Sequence, residues 1–124
     1  MENKKIILAV DDMPTNLQIL QSLLSDEFSV RLAKSGQMAL SALARIQVDL
    51  ILLDIEMPGL SGFDVMNELQ KSPDFRDIPV IFVTAHATRD FIARAAKVGA
   101  KDYLVKPFDS QALREKVRRV LGLA

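Results

Sequence analysis

Short apolar runs alternate with helical patterns along the whole chain, and this alternation limits the fold more than any other feature. Apolar runs at residues 6–10, 48–53 (apart from Asp49) and 78–83 predict buried strands. Between them, apolar residues recur at the spacing of amphipathic helices. Five strand–helix units follow one another in this way. Such a repeat predicts an α/β domain whose parallel sheet is covered by helices on both faces.

The exposure expected for each strand predicts the order of the sheet. In residues 28–33, Phe28, Val30 and Leu32 alternate with three other residues, which is typical of a half-exposed edge strand. A short run at residues 103–105 predicts the fifth strand. With the second and fifth strands at the edges, we predict a doubly wound, five-stranded parallel sheet of order 2-1-3-4-5. Ligands of such sheets bind at the carboxyl ends of the strands.

Several residues predict where helices begin and end. Pro14 suits a first helical turn because its missing N–H is not needed there. Ser35 is a candidate cap for the second helix, Asp109 or Ser110 for the last one, and Gly99 predicts a helix end. The predicted inner face of the second helix consists of Met38, Ala39, Ala42, Leu43 and Ile46.

The composition narrows the possible functions. The 16 basic and 16 acidic residues cancel, which argues against nucleic acid or an anionic membrane as a direct partner. We interpret the basic cluster within residues 114–119 as a solvated helix face. The absence of cysteine excludes disulfides, thiolate catalysis and zinc–thiolate sites. We predict a single domain of residues 1–124, and a cytoplasmic protein because no signal peptide or membrane span is recognisable.

Reactive side chains stand where four of the predicted strands end. Asp11 and Asp12 follow the first strand, Asp54 the third, Thr84 the fourth and Lys106 the fifth. In a parallel sheet these ends share one edge, so we expect the carboxylates to lie close together. Three clustered carboxylates repel one another unless a cation is present, and Mg²⁺ prefers oxygen ligands. The cluster predicts a magnesium site; the alternative is a hydrated acidic rim paired with Lys106.

The same positions suit phosphoryl transfer, which depends on positioning and charge neutralisation. Lys106 offers a point charge for a phosphoryl oxygen. Thr84 offers a hydroxyl, and Ala85 a backbone N–H, although a threonine at a strand end can also be purely structural. The best nucleophile among these groups is an aspartate that forms an acyl phosphate.

The motifs at these strand ends resemble those of the receiver domains of two-component response regulators, the CheY-like domains. The likeness covers residues 5–121, nearly the whole chain. It is carried by four segments in a specific order and spacing: VDD at 10–12, LDIEMPG at 53–59, VTA at 83–85 and YLVKPF at 103–108. The resemblance implies a flavodoxin-like (βα)5 fold with its core at about residues 5–121. It also implies an aspartate that is phosphorylated by a histidine kinase or a phosphotransfer protein.

The resemblance assigns the metal site residue by residue. Asp54 is the expected phosphoacceptor. Asp12 and Asp54 are expected to bind Mg²⁺ directly, Asp11 mainly through water, and the backbone carbonyl of Glu56 as a further ligand. Mn²⁺ is an expected substitute.

The resemblance also assigns the groups that bind the phosphoryl group and respond to it. Lys106 is expected to pair with that group, and the Thr84 hydroxyl and Ala85 N–H to donate hydrogen bonds to its oxygens. Tyr103 stands at the switch-aromatic position and is expected to turn inward as Thr84 moves. The alternative for Tyr103 is an aromatic plug at the sheet edge. A cis bond between Lys106 and Pro107 is implied as well.

Two variable positions concern the lifetime of the acyl phosphate. Glu56 stands two residues after Asp54, and His86 two residues after Thr84. In receiver domains, side chains at these places tune hydrolysis. Glu56 is expected to hinder or orient the attacking water. For His86, an exposed polar residue without this role is the alternative.

The function implied by the resemblance is that of a signalling switch rather than a turnover enzyme. Its output face is expected at residues 89–98, 101–105 and 110–121, where it meets an output domain, a partner protein or a second copy in a homodimer. The stretch at residues 12–17 resembles receivers attached to cyclic-dinucleotide enzymes or hybrid kinases.

Two other classes share parts of this pattern. A Mg²⁺-dependent phosphatase or phosphotransferase for small molecules also uses an aspartyl phosphate, but it usually needs a second acid and a cap over the substrate. A flavodoxin-like electron carrier shares the fold, but it needs a Ser/Thr/Gly-rich loop after the first strand, where this chain has Asp11 and Asp12.

Overall fold

The computed structural model describes residues 4–123 and contains one five-stranded parallel sheet of order β2-β1-β3-β4-β5. The strands are β1 (Ile6–Val10), β2 (Ser29–Ala33), β3 (Leu50–Asp54), β4 (Val80–Thr84) and β5 (Asp102–Val105). The helices are α1 (Pro14–Leu24), α2 (Gly36–Leu43), α3 (Gly62–Lys71), α4 (Arg89–Lys97) and α5 (Ser110–Val120). The predicted fold class, strand order and both edge strands are therefore confirmed. The predicted domain also includes residues 1–3 and 124, which lie outside the described part.

The alternation of side chains along the strands divides the core into two clusters, one on each face of the sheet. The first contains Leu8, Val10, Ile51, Leu53, Val80 and Phe82, and it is covered by residues of α2, α3 and α4. The second contains Ile7, Ala9, Leu50, Leu52, Ile81 and Val83, and it is covered by residues of α1 and α5. Among the described helices, none is long and apolar enough to cross a membrane.

The edge strand β2 differs from its predicted alternation at one end. Leu32 is 37% exposed, whereas Ala33 is buried in the first core cluster. An edge strand has a neighbouring strand on one side only, so its side chains are not all covered. Ala33 is enclosed because it lies opposite Val10 in the sheet register and faces the same core cluster as Val10; its carbonyl also accepts a hydrogen bond from the Asp11 N–H (3.1 Å).

The inner face of α2 is narrower than predicted. Ser35 caps this helix as expected, since its hydroxyl accepts from the Met38 N–H at 3.1 Å. Met38 itself, however, is 49% exposed, so its assignment to the inner face was wrong. Ala39 and Leu43, four residues apart, form the buried stripe. Met38 precedes Ala39 and is therefore rotated away from the sheet.

Two strands begin later than their apolar runs, for different reasons. At the start of β3, Asp49 lies before the strand, and its carboxylate accepts a hydrogen bond from the Ile6 N–H (2.7 Å). Before β4, Pro79 has no N–H for the ladder, although its carbonyl still accepts from Ile51 N (3.0 Å). Ile78 and Pro79 are only half-buried and precede the strand.

Side-chain caps and a glycine define most of the other helix ends. Pro14 opens α1 and Asp109 caps α5, as predicted. Gly99 has a φ of +97° after α4, which a residue with a side chain rarely adopts. In α3, Ser61 and Asp64 form a reciprocal capping box. The hydrogen bonds from the Ser61 backbone and side chain lower the pKa of Asp64 below its ordinary value.

Gly62 places the first turn of α3 directly against the backbone of Asp54. A Cβ at this position would lie 2.5 Å from the Asp54 carbonyl oxygen and 2.8 Å from the Ile55 Cα. The Gly62 N–H also donates to the Ile55 carbonyl at 2.9 Å. Only glycine permits so close an approach between a helix and the strand end that carries Asp54.

We predict that Gly62→Ala destabilises the protein by about 1–3 kcal/mol, because the added methyl group meets backbone atoms that cannot move aside. Helix propensity alone favours alanine over glycine by up to about 1 kcal/mol, so the expected sign is opposite. Urea unfolding measures the difference. Asn67→Ala, at an exposed site in the same helix, is the control and should not lower stability. A more stable Gly62→Ala variant would contradict the close contact.

Candidate functional site

The carboxyl edge of the central strands gathers three carboxylates. Asp11 follows β1 and is 1% exposed, and Asp54 ends β3 and is 4% exposed. Asp12 is half-buried beside them. One carboxylate oxygen from each residue lies within 4.8 Å of the others. The structure therefore brings the three predicted acids into one cluster.

Protein donors occupy both oxygens of Asp11. Its Oδ1 accepts the Met13 N–H at 2.9 Å. Its Oδ2 accepts both the side-chain amide of Asn16 at 3.2 Å and the Lys106 ammonium at 3.0 Å. Among residues 4–123, by contrast, no donor hydrogen-bonds to the Asp12 carboxylate. The Asp11 carboxylate is thus hydrogen-bonded by protein groups, while the Asp12 carboxylate is available to a ligand.

Lys106 lies at the end of β5 and joins two of the carboxylates. Its Nζ is 3.0 Å from Asp11 Oδ2 and 3.2 Å from Asp54 Oδ1. Its backbone N–H donates to the Thr84 carbonyl at 2.7 Å, which holds the lysine beside β4. The predicted cis bond between Lys106 and Pro107 is confirmed.

The cluster changes the ionisation of its members. Burial, followed by the negative charge of Asp11, raises the pKa of Asp54 from 3.8 to about 6, although Lys106 acts in the opposite direction. Burial by itself disfavours the charged form of Lys106. Its hydrogen bond to Asp11 and the charges of Asp54 and Asp11 outweigh this and raise the pKa of Lys106. The site therefore combines a persistent cation with a carboxylate that is costly to ionise.

Thr84 ends β4 and is 2% exposed. Its hydroxyl oxygen accepts the His86 N–H at 3.0 Å and lies 3.5 Å from the His86 carbonyl oxygen. The hydroxyl is thus bonded to the loop after β4 and not to the acidic cluster. Ala85, between these two residues, is exposed.

Glu56 and His86 face one another across the loops that follow β3 and β4. His86 Nε2 lies 3.8 Å from Glu56 Oε1, and the two side chains are 66% and 73% exposed for Glu56 and His86 respectively. An exposed pair at this distance contributes little to stability. Its importance is positional, because the pair connects the residue two places after Asp54 with the residue two places after Thr84.

Tyr103 is half-buried on β5 and belongs to an aromatic cluster. Its ring meets Phe91 of α4 edge-on, with centroids 6.3 Å apart. Phe91 in turn lies 6.2 Å from Phe82 and 6.0 Å from Phe63, the residue after Gly62. These four rings, here called the aromatic cluster, connect the start of α3 with α4 and β5.

An ionic cluster fastens α5 to β5 beside Tyr103. Asp102 accepts from Lys116 Nζ at 3.0 Å and from Arg119 Nη2 at 2.6 Å. Burial would raise the pKa of Asp102, but hydrogen bonds from the Tyr103 N–H, Lys116 and Arg119 lower it below its ordinary value. Lys116 Nζ also lies 4.7 Å from the Tyr103 ring centroid. All four residues of the predicted basic cluster have partners within the domain, because Arg114 also donates to the Leu23 carbonyl and Arg118 pairs with Glu27.

The donor set suits a hard divalent cation. All three acids offer oxygen atoms, and with Lys106 they leave a formal charge of −2 when ionised (three negative charges and one positive). Mg²⁺ typically binds through one or two carboxylates together with water and phosphate oxygens. The free carboxylate of Asp12 and the raised pKa of Asp54 are both consistent with such an ion.

Residues 7–118 match the family described as the response regulator receiver domain. The chain belongs to this family. Family membership favours a signalling domain over the small-molecule phosphatase and the electron carrier that share parts of the pattern. The acid cluster, Thr84 and Lys106 lie in the segments from which the resemblance was inferred.

Relatives of this receiver domain include proteins of about its own length and much longer proteins. It is 37% identical over 116 residues to the chemotaxis protein CheY of Pseudomonas aeruginosa, covering 92% of this chain and 94% of that protein. It is 38% identical over 111 residues to a probable cyclic di-GMP phosphodiesterase of Vibrio cholerae, covering 90% of this chain but only 25% of that protein. The receiver thus spans about a quarter of that relative's length.

A solved structure shows the same architecture with a metal ion. The receiver domain of a sensor histidine kinase from Pseudomonas aeruginosa PAO1 has a TM-score of 0.88 and 30% sequence identity to this receiver, covering 97% of this chain and 99% of that one. Its structure contains a magnesium ion coordinated in the active site cleft.

Two groups near the site were not predicted from the sequence. Asn16 contacts Asp11 through its side chain, and Asp102 with Lys116 surrounds one side of Tyr103. An asparagine in a first helical turn carries no specific signal by itself, because this residue type commonly serves helix ends. Asp102 has partners only because β5 lies beside α5, and its position next to Tyr103 in the sequence gives no sign of that contact.

We predict that the metal-free protein becomes more stable when Asp54 is replaced by Asn. A carboxyl group whose pKa is higher in the folded state than in the unfolded state destabilises the protein at high pH. The free energy of unfolding falls as the pH rises from the unfolded-state pKa, about 3.9, to the folded-state pKa. A folded pKa of about 6 makes Asp54→Asn more stable by about 2–3 kcal/mol at neutral pH, at about 1.36 kcal/mol per pKa unit.

Urea unfolding in chelator, at about pH 7.5 and about pH 4, measures this difference. It should fall to about 0.5 kcal/mol at the lower pH, because Asp54 is then protonated in the folded state and about half protonated in the unfolded state. The exposed Asp26, replaced by Asn, is the control and should show no such dependence. Equal effects of Asp54→Asn at both pH values would contradict the raised pKa.

Proposed function

We propose that this receiver domain accepts a phosphoryl group on Asp54 from a phosphohistidine of a histidine kinase or a phosphotransfer protein. The observation that carries the proposal is the position of Asp54, which is buried at the end of a central strand within 3.2 Å of Lys106 Nζ and beside two other acids. A nucleophilic carboxylate beside a fixed cation and a cation-binding cluster has the groups that phosphoryl transfer needs.

The proposed reaction exchanges one bond to phosphorus for another. An oxygen of the Asp54 carboxylate attacks the phosphorus in line. The P–O bond forms as the P–N bond to the donor imidazole breaks, and the imidazole nitrogen keeps the electron pair. Lys106 shifts its ammonium from its resting partners to a phosphoryl oxygen. The Thr84 hydroxyl and the Ala85 N–H donate to the remaining oxygens.

Asp12 and Asp54 are the proposed direct ligands of Mg²⁺, with the Glu56 backbone carbonyl as a third ligand and Mn²⁺ as a substitute. Asp11 acts mainly through water. The hydrogen bonds that occupy both Asp11 oxygens support this division. Bound Mg²⁺ supplies neutralisation of the charge on the phosphoryl oxygens.

The proposed switch starts with the Thr84 hydroxyl. To donate to the phosphoryl group, the hydroxyl must turn its O–H away from the His86 carbonyl oxygen, to which it now donates at 3.5 Å. Thr84 pairs with Val105, and Phe82 with Tyr103, so Thr84 and Tyr103 lie on the same face of the sheet. Movement of Thr84 therefore opens space beside Tyr103, which turns inward and rearranges the face formed by α4, β5 and α5.

The proposed output of this face is contact with an output domain, a partner protein or a second copy of the chain. The relative from Vibrio cholerae, a probable cyclic di-GMP phosphodiesterase, and the sensor histidine kinase from Pseudomonas aeruginosa support an attachment to enzymes of either kind. Glu56 and His86, which meet at the mouth of the site, are proposed to set the lifetime of the acyl phosphate by controlling access of water.

Acetyl phosphate with Mg²⁺ tests the phosphoacceptor, because this small donor needs no docking partner. The wild-type protein should gain the mass of one phosphoryl group, and Asp54→Asn should gain none, since the amide is a far weaker nucleophile. Asp26→Asn, which changes an exposed aspartate outside the site, should be labelled like the wild type. Undiminished labelling of Asp54→Asn would exclude Asp54. Rapid turnover of small phosphate esters would instead favour a phosphatase.

The intrinsic fluorescence of Tyr103 tests the switch, because the chain has one tyrosine and no tryptophan. Beryllofluoride with Mg²⁺, which mimics the phosphoryl group, should change the emission of the wild type. In Thr84→Ala the change should be lost although the mimic still binds, because the hydroxyl that couples the two residues is missing. Thr15→Ala, at an exposed position of α1, is the control. An unaltered response in Thr84→Ala would contradict the proposed coupling.

A further inference from the structure

Asn16 shares a carboxylate oxygen with the lysine of the site. It lies in the first turn of α1 and is half-buried. Its amide nitrogen donates to Asp11 Oδ2 at 3.2 Å, and Lys106 Nζ donates to the same oxygen at 3.0 Å. An ionised carboxylate can only accept hydrogen bonds, so the NH₂ group of Asn16, and not its carbonyl, must face Asp11.

This sharing matters because Lys106 has two resting partners. Its ammonium lies between Asp11 Oδ2 and Asp54 Oδ1. According to the proposed function, on which this inference rests, the ammonium moves to a phosphoryl oxygen during transfer. Asp11 is 1% exposed, so bulk water has little access to the oxygen that the lysine leaves, and apart from protein groups only a water held by the proposed Mg²⁺ lies near it. A buried carboxylate oxygen without a donor carries a large desolvation cost.

We propose that Asn16 is a positioning residue for phosphoryl transfer, which keeps Asp11 Oδ2 hydrogen-bonded while Lys106 moves its ammonium to the phosphoryl group on Asp54. The amide stays with Asp11 in both states. Before transfer Lys106 donates to Asp11, and after it Lys106 donates to the phosphoryl group. Because Asn16 donates to Asp11 in both cases, the free-energy cost of moving Lys106 is smaller than if Lys106 were the sole donor to that oxygen.

The residue type at position 16 fits this role. A carboxylate there would add negative charge to the cluster, an aliphatic residue would offer no donor, and a lysine or arginine would compete with Lys106 for Asp11. Helix formation does not explain the choice, because asparagine is a weaker helix former than alanine or leucine, and Asn16 does not cap α1, whose N-cap is Met13 with no side-chain cap hydrogen bond. An uncharged donor of this length satisfies Asp11 without changing the charge of the site.

The test compares two affinities in variants of the whole chain. Asn16→Ala removes the amide, and Asn16→Asp keeps its shape but, when ionised, cannot donate. Calorimetry measures Mg²⁺ binding. Tyr103 fluorescence, or ¹⁹F NMR if the emission is silent, measures beryllofluoride binding in saturating Mg²⁺. Ile19→Ala is the matched control, because Ile19 lines the same surface pocket as Asn16 and Lys106 and its side chain is 45% exposed.

We expect both Asn16 variants to bind beryllofluoride about tenfold more weakly, the effect of losing one hydrogen bond to a charged group. Their Mg²⁺ affinity should not fall: Asn16→Ala should stay within about twofold of the wild type, and Asn16→Asp should bind the ion more tightly because of its added charge. Ile19→Ala should leave both affinities unchanged. A merely structural role for Asn16 would weaken both affinities together.

Other results would overturn either the role of Asn16 or the proposed function itself. Beryllofluoride affinities within about twofold of the wild type in both variants would overturn the role of Asn16, as would a parallel loss of Mg²⁺ and beryllofluoride binding. If the wild type neither binds beryllofluoride nor is labelled by acetyl phosphate, the proposed function fails, and this inference fails with it. Labelling of the wild type with unaffected variants removes the role of Asn16 alone.

Discussion

The bridge from Lys106 to Asp11 and Asp54 is the interaction on which the site depends. Parallel strands end at one edge, so the acids that follow β1 and β3 are forced together there. Burial and mutual repulsion make this grouping costly, as the raised pKa of Asp54 indicates. The ammonium of Lys106 offsets part of that cost. Because Lys106 neutralises only one of the three carboxylates, the cluster keeps enough negative charge to bind a divalent cation.

The rest of the fold connects this edge to the face formed by α4, β5 and α5. Gly62 lets α3 begin in contact with the Asp54 carbonyl. Phe63 follows at once and starts the aromatic cluster, which ends at Tyr103 on β5. Asp102, with Lys116 and Arg119, holds α5 against the same strand. A contiguous set of packed groups thus lies between the acids and the face formed by α4, β5 and α5, in addition to the neighbouring Thr84.

The fold was largely predictable because its main signals are local. Continuous apolar runs marked the central strands, and the alternation at residues 28–33 marked an edge strand. The predictions were wrong where contacts with other elements decide whether a side chain is buried or where a strand begins. Met38 and Leu32 are apolar and fit their patterns, yet both are exposed. Met38 is rotated away from the sheet on α2, and Leu32 stands on an edge strand that has a neighbour on one side only. Pro79 shortened β4 through its missing N–H, which the apolar run concealed.

Some residues of the site could be predicted from the sequence, whereas others are evident only from contacts in the structure. Aspartates, a threonine and a lysine at strand ends could be recognised from the sequence, since a parallel sheet brings such ends together wherever the order of strands is known. The sequence offered no comparable signal for Asn16, whose contact depends on the rotation of α1 above the end of β1. Nor did it show that Glu56 and His86 meet, because two separate loops must bend towards each other for that pair to form.

The sequence by itself determined the order of the elements and the chemical types that stand at the ends of the strands. Both follow from periodicity and from neighbouring residues along the chain. Only the tertiary structure decided how these groups share their hydrogen bonds: Lys106 between two acids, Asp11 between Lys106 and Asn16, and the Thr84 hydroxyl with the His86 backbone. Lys106 is 95 residues from Asp11 and 52 from Asp54 along the chain. Differences of a few tenths of an ångström decide which donor reaches which oxygen, and packing alone sets such distances.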